Sequence, residues 1–125
     1  MADNSVETTV LIVEDEVFIR MIGVDMLEDS GFRVLEAKNA DEALEILKNG
    51  ADVKVLFTDI RMPGKMDGLE LAEFVHARWP EIKLLITSGH CRLSDDEVPD
   101  GGRFVAKPYK LETVIEQIRK ALIER

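Results

Sequence analysis

Acidic residues follow two apolar runs of this sequence at the point where each run ends. Glu14 and Asp15 come directly after residues 10–13, and Asp59 follows a second run over residues 53–58. If both runs are neighbouring strands of a parallel sheet, these three carboxylates meet at one edge. Two unit charges about 4 Å apart repel by roughly 4 kcal/mol at an effective dielectric constant near 20. We therefore expect a cation or a chemical reaction at this edge.

An oxygen-rich site of this kind favours Mg²⁺, which takes one or two carboxylates and keeps several waters. A carboxylate beside Mg²⁺ can accept a phosphoryl group when a second cation neutralises the transferring oxygens. Lys107 offers that cation, and Thr87 offers a hydroxyl group. Asp59 is the best candidate nucleophile, because Glu14 and Asp15 form the metal-holding corner. Zinc is not expected, since the histidines and the single cysteine have no ligand spacing.

The elements that must position these residues alternate between strand-like and helix-like patterns. The predicted strands cover residues 10–13, 33–37, 53–58, 82–86 and 103–106. Alternation of this kind predicts right-handed crossovers and a parallel sheet with helices on both faces. In such sheets the functional residues lie beyond the carboxyl ends of the strands, where Glu14, Asp59, Thr87 and Lys107 fall.

The helices are predicted from apolar periodicity and capping residues. Phe18, Ile22 and Met26 form an apolar stripe on a first helix, which ends at residues 30–31. Asn39 is expected to cap the second helix, with Glu42 completing a capping box. A third helix is predicted over residues 67–79. The last helix, over residues 111–122, has the most regular apolar spacing.

Five motifs, in order and with suitable spacing, resemble those of two-component response-regulator receiver domains, in particular single-domain proteins like the chemotaxis regulator. The motifs are VEDE at 13–16, TDIRMPG at 58–64, DGLEL at 67–71, TSG at 87–89 and KP at 107–108. The resemblance covers essentially the whole chain. It implies a flavodoxin-like, doubly wound α/β fold with five parallel strands in the order 2-1-3-4-5.

The resemblance also implies a role for each matching residue. Asp59 would be the phosphoacceptor, and Mg²⁺ would be bound by Glu14, Asp15, Asp59 and the backbone carbonyl of Arg61. Lys107 would contact the phosphoryl group.

A conformational switch is implied as well. Thr87 would turn toward the phosphoryl oxygens, and Phe104 on the fifth strand would move inward with it. The peptide bond between Lys107 and Pro108 would be cis.

Two segments depart from the family pattern. The loop after Asp59 carries one extra residue, Lys65. Residues 90–102 stand where the family has a fourth helix, but they are acidic and rich in glycine and proline. We expect a short or irregular helix of one or two turns from Ser94, within an otherwise mobile loop.

Composition limits the classes of partner. The chain has 125 residues and a net charge of -9, which argues against direct binding to nucleic acid. No apolar run is long enough to cross a membrane, and the polar segment 1–8 lacks the features of a signal peptide. A single cysteine is consistent with the cytoplasm. We expect one receiver domain over residues 1–125, without an output domain, acting as a monomer or a weak phosphorylation-dependent dimer.

The leading hypothesis is a stand-alone receiver that is not a turnover enzyme. It would accept a phosphoryl group from a histidine kinase or histidine phosphotransferase and act on an unknown downstream protein. A receiver cut from a hybrid kinase or a longer regulator is the closest alternative. An aspartate-nucleophile phosphatase is disfavoured, because its nucleophile would lie on the first strand. A flavin-binding protein is disfavoured because three acids occupy the position of its phosphate loop.

Overall fold

The computed structural model describes residues 8–62, 64–88, 102–107 and 110–123. Within these ranges the elements are β1 Thr9–Val13, α1 Val17–Asp29, β2 Arg33–Ala37, α2 Ala40–Lys48, β3 Val55–Asp59, α3 Gly68–Arg78, β4 Lys83–Ser88, β5 Arg103–Ala106 and α4 Leu111–Ile123. All strand pairs are parallel, and the sheet order is β2-β1-β3-β4-β5. The predicted fold class and strand order are confirmed.

The central strands β1 and β3 are buried along their whole length. Successive side chains of β1 point to opposite faces of the sheet. Leu11 and Val13 pack with α2 and α3, whereas Val10 and Ile12 pack with α1 and α4. Helices on both faces explain why the strands were recognisable as continuous apolar runs rather than as an alternating pattern. Because these helices cover both faces of the sheet, polar side chains reach solvent at the ends of the central strands.

The sequence predicted which segments form strands more accurately than it predicted the residues at which those strands begin and end. β3 begins two residues later than predicted and includes Asp59, and β4 extends to Ser88. No described helix is long and apolar enough to span a membrane. The predicted short helix from Ser94 and the predicted cis bond to Pro108 lie outside the described residues, because residues 89–101 and 108–109 are not described.

Helix capping differs in detail from the prediction. Asn39 caps α2 as expected, because its side chain accepts a hydrogen bond from the Glu42 N–H at 2.9 Å. The Glu42 carboxylate accepts from the Lys38 N–H rather than from that of Asn39, so α2 lacks the predicted reciprocal box. A complete capping box is present instead at α3, between Asp67 and Glu70.

Of the apolar stripe that predicted α1, only Met26 packs against the core. Phe18 is 79% exposed and Ile22 65% exposed, whereas Gly23 and Leu27 are the buried residues of the helix. The helix therefore packs on the sheet through a narrower face than its sequence indicates. Its large apolar side chains near the N-terminus are left on the surface.

Candidate functional site

The strand ends converge as the parallel sheet requires. Asp59 ends β3 and lies in register with Thr87 of β4. Glu14 follows β1, and its N–H donates to the carbonyl of Ala37 at the end of β2. Lys107 follows β5, and its N–H donates to the Ser88 carbonyl. Four neighbouring strands thus deliver polar residues to one edge.

Three carboxylates lie together at this edge. One oxygen from each of Glu14, Asp15 and Asp59 lies within 4.8 Å of the others. Glu14 is 3% exposed and Asp59 7% exposed, while Asp15 is on the surface. A set of oxygen ligands that is buried on one side and open to water on the other fits a hydrated Mg²⁺ ion. The predicted acidic cluster is therefore present, and its donor set suits the predicted metal.

Lys107 joins two of these carboxylates. Its ammonium group donates to Glu14 Oε1 at 2.9 Å and to Asp59 Oδ2 at 3.0 Å. Burial raises the pKa of Glu14, and the hydrogen bonds from Lys107 and from the Glu16 N–H only partly oppose it. Burial alone would lower the pKa of Lys107, but its contacts with Glu14 and Asp59 together raise it. Lys107 is therefore charged at neutral pH and is shared between two acids.

Thr87 contributes a hydroxyl group to the site. Its Oγ1 is buried and has no hydrogen-bond partner among the described residues. It lines a cavity of about 10 Å³ together with Glu14 and Asp59, which leaves room for about one water molecule. A buried hydroxyl without a partner is uncommon, because desolvation without a hydrogen bond costs roughly 1–3 kcal/mol. This hydroxyl is available to a group bound at Asp59.

The remaining predicted site residues are Arg61 and Phe104. Arg61 lies in the loop after β3 with an exposed side chain. Phe104 is half-buried on β5, in register with Ile86, and it packs against the core on the α2 and α3 side. The metal contact of the Arg61 carbonyl and the switch role of Phe104 stay predictions. Lys65, the extra residue of this loop, is exposed.

Sequence reasoning did not single out Gly68. Its N–H donates to the Ile60 carbonyl at 2.8 Å. A Cβ atom at this position would lie only 1.8 Å from the backbone oxygen of Asp59. The start of α3 is therefore packed directly on the peptide that carries the candidate nucleophile. A glycine at the first position of a helix was the available signal, because glycine has low helix propensity.

A doubly wound parallel sheet with an acidic cluster, a lysine and a buried hydroxyl at its carboxyl edge suits a domain that binds a cation and accepts a phosphoryl group. Comparison with known proteins agrees with that class. The family model described as the response regulator receiver domain matches residues 10–119. The chain belongs to this family and is a receiver domain of two-component phosphorelay signalling.

Two curated relatives come from Brucella abortus. The response regulator receiver protein CpdR is 32% identical over 117 residues, covering 91% of this chain and 96% of that protein. The sensor kinase CckA is 35% identical over 124 residues, covering 96% of this chain but only 13% of the kinase. Similar receivers therefore occur both as nearly whole proteins and as small parts of larger ones.

Solved structures agree on the fold. A response regulator receiver protein from Sinorhizobium medicae superposes with a TM-score of 0.85 at 28% identity, covering 93% of this chain and 94% of that one. The receiver domain of NtrX from Brucella abortus gives a TM-score of 0.83 at 31% identity, covering 93% of this chain and 99% of that one.

Proposed function

We propose that Asp59 accepts a phosphoryl group from a phosphohistidine on a partner protein, in a reaction that requires Mg²⁺. The observation that carries the proposal is the position of the Asp59 carboxylate. It lies beside two other acids, it is hydrogen-bonded to Lys107, and it shares a small cavity with the Thr87 hydroxyl, which has no partner among the described residues. These are the groups that an aspartyl phosphate needs around it.

The chemistry follows from these contacts. A carboxylate oxygen of Asp59 forms the new P–O bond while the P–N bond of the phosphoimidazole breaks. The electron pair of that bond remains on the imidazole nitrogen of the donor. Lys107 lies 3.0 Å from Asp59 Oδ2, so its ammonium group is placed to neutralise charge on the transferred oxygens. The Thr87 hydroxyl is placed to donate a hydrogen bond to one of them.

Glu14, Asp15 and Asp59 are the residues that would hold Mg²⁺, with the Arg61 carbonyl as a further ligand. When bound, the ion supplies positive charge that offsets the negative charge of the phosphoryl oxygens. In our proposal Glu14 keeps its hydrogen bond from the Glu16 N–H. This bond orients the carboxylate independently of Lys107, so Lys107 is free to turn toward the phosphoryl group.

The partner is expected to contact α1. Four large side chains there are exposed, and we call them the α1 patch: Val17, Phe18, Met21 and Ile22. The patch begins two residues after Asp15, which is the exposed acid of the cluster. Contiguous exposed apolar residues mark protein contacts more often than inert surface. We propose that the phosphohistidine-bearing protein places an apolar surface against this patch.

A small-molecule donor tests the proposal most directly. Acetyl phosphate with Mg²⁺ should add one phosphoryl group of about 80 Da to the protein. The adduct should be labile to hydroxylamine and should map to Asp59. Asp59→Asn should abolish it, whereas Asp52→Asn, which removes an exposed carboxylate elsewhere, should leave it unchanged. Labelling that persists in Asp59→Asn would refute the assignment.

The α1 patch is tested by comparing two donors. Phe18→Ser should slow phosphorylation by a phosphorylated histidine phosphotransfer domain at least tenfold, without changing the rate with acetyl phosphate. Ile123→Ser is the matched control, because Ile123 is 77% exposed but lies on α4. Equal effects of Phe18→Ser on both donors would contradict a docking role.

We further propose that the chain acts in the cytoplasm, as a phosphoacceptor without steady turnover of phosphate esters. Sustained release of phosphate from a general phosphate ester would argue for a phosphatase instead.

A further inference from the structure

Arg20 lies in the second turn of α1 and reaches back toward the acidic loop. Its Nη1 donates to the backbone carbonyl of Glu14 at 2.7 Å, and its Nε donates to Glu36 Oε1 on β2 at 2.9 Å. The Arg20 side chain is only 17% exposed. One guanidinium group therefore connects the helix, the neighbouring strand and the loop that supplies two of the acids.

This contact completes the hydrogen bonding of Glu14. Its N–H donates to the Ala37 carbonyl at 3.0 Å, and its carboxylate accepts from Lys107 and from the Glu16 N–H. The Glu14 carbonyl belongs to the same planar peptide unit as the N–H of Asp15. Holding the Glu14 carbonyl in place therefore also fixes the position of the Asp15 backbone nitrogen.

Asp15 depends on this backbone contact more than the other two acids do. Within the described residues its exposed carboxylate has no hydrogen bond or ion pair, while Glu14 and Asp59 are both bonded to Lys107. Its direction is set by the main chain rather than by side-chain partners. A shift of the peptide between residues 14 and 15 would move this carboxylate away from the other two.

We infer that Arg20 is a positioning residue for the cation site, which holds the Glu14–Asp15 peptide so that the Asp15 carboxylate faces those of Glu14 and Asp59. The inference rests on the proposed function only in requiring that the cluster bind Mg²⁺. A guanidinium suits the task, because its planar fork donates in two directions at once, whereas a lysine ammonium acts as a point charge. Glu36 neutralises the guanidinium, which limits its repulsion of a bound cation.

Positioning and simple charge predict opposite results when Arg20 is removed. If Arg20 acted only as a positive charge near the site, Arg20→Met would tighten Mg²⁺ binding. If it positions Asp15, the same substitution weakens Mg²⁺ binding, and loss of a partner that orients a ligand typically weakens it by roughly tenfold or more. The direction of the change therefore separates the two explanations.

The experiment measures the Mg²⁺ dissociation constant of the unphosphorylated protein by calorimetry, with thermal unfolding recorded in parallel. Arg20→Met should raise the dissociation constant about tenfold. The constant of Arg20→Lys should lie between those of Arg20→Met and wild type. Glu36→Gln should change it less than threefold, because the amide oxygen still accepts from Nε. Arg119→Met is the matched control: it also removes one arginine charge, but from a cation–π contact with Phe32, and should leave the constant unchanged.

The outcomes are distinguishable. A wild-type protein that binds no Mg²⁺ overturns the proposed function itself. A wild-type protein that binds, with Arg20→Met equal to it or tighter, overturns only the role of Arg20. If Arg20→Met does not fold, Arg20→Lys becomes the deciding variant. Mg²⁺ binding at least threefold weaker than that of wild type, with unchanged thermal unfolding, supports the inference. Unchanged Mg²⁺ binding refutes it.

Discussion

Replacing Gly68 with alanine tests how tightly α3 is packed on the strand end that carries Asp59. A Cβ at this position would lie 1.8 Å from the carbonyl oxygen of Asp59, 2.6 Å from its carbonyl carbon and 2.9 Å from the Cα of Ile60. All three atoms belong to the backbone, so no side-chain rotation relieves the contact. Either the helix start or the end of β3 must move.

The size of the effect follows from these distances. Ordinary contact begins at 3.4 Å, so the displacement is roughly 1.5 Å, more than a close-packed interior absorbs without strain. Overpacking typically lowers the free energy of unfolding by about 1–3 kcal/mol, and this collision belongs at the upper end. Alanine returns about 1 kcal/mol through its higher helix propensity. We therefore expect a net loss of about 2 kcal/mol.

The assay combines urea unfolding with the rate of phosphorylation by acetyl phosphate. A displacement of about 1 Å at a reacting group can slow a reaction roughly 100-fold, so the rate for Gly68→Ala should fall by one to two orders of magnitude. Gly50→Ala is the control, because Gly50 has a φ of +91° with nothing within 4 Å of the added Cβ. It should lose about 1 kcal/mol from its left-handed backbone and keep its rate. A Gly68→Ala protein with wild-type stability and rate would refute this reasoning.

The remaining predictions concern charge and capping. Because burial raises the pKa of Glu14 above 4.5, the folded metal-free protein binds this proton more tightly than the unfolded chain, and that stabilisation is lost as pH rises through the raised value. The stability of Glu14→Gln relative to wild type should therefore increase as pH rises from 4.5. Urea midpoints of both proteins, measured across pH, test this. A stability difference that does not change with pH would contradict it. Lys107→Met should lose about 3 kcal/mol in EDTA, because two buried acids are left without their shared partner, and Mg²⁺ should restore part of this loss. An equal loss of stability in EDTA and in Mg²⁺, measured by thermal unfolding, would count against the pairing. Asp67→Ala should lose about 1 kcal/mol through the α3 capping box, and an unchanged urea midpoint would show that the box contributes nothing.

The strands and the acidic edge could be predicted from the sequence because they depend on local pattern. Continuous apolar runs identify β1 and β3, and the first polar residue after a run marks its carboxyl end. Once the strands are parallel neighbours, Glu14, Asp15 and Asp59 must converge. Apolar periodicity does not predict the strand order. The five motifs predict it through their resemblance to a known family.

The parts that could not be predicted depend on tertiary contacts. In α1 the largest apolar side chains, Phe18 and Ile22, are exposed, while Gly23 and Leu27 face the sheet. Counting apolar residues therefore wrongly assigns Phe18 and Ile22 to the core-facing side of this helix, although Met26 of the same stripe does pack against the core. For Gly68 the sequence indicates a helix start, but only the coordinates reveal a backbone oxygen where a Cβ would lie. Arg20 was missed because its partners are a backbone carbonyl and a residue on another strand.

The charge balance of the site predicts that metal binding and the proposed phosphorylation are coupled. Three carboxylates and one ammonium group leave two negative charges in the metal-free cluster. An aspartyl phosphate replaces one carboxylate charge with nearly two phosphate charges, so the metal-free site would become more negative still. A divalent cation offsets this excess, and the site therefore favours the phosphoryl group when the cation is bound. By thermodynamic reciprocity the phosphoryl group must favour the cation to the same degree. In our proposal, the excess negative charge of Glu14, Asp15 and Asp59, which is unfavourable for the folded protein alone, thus couples cation binding to phosphorylation.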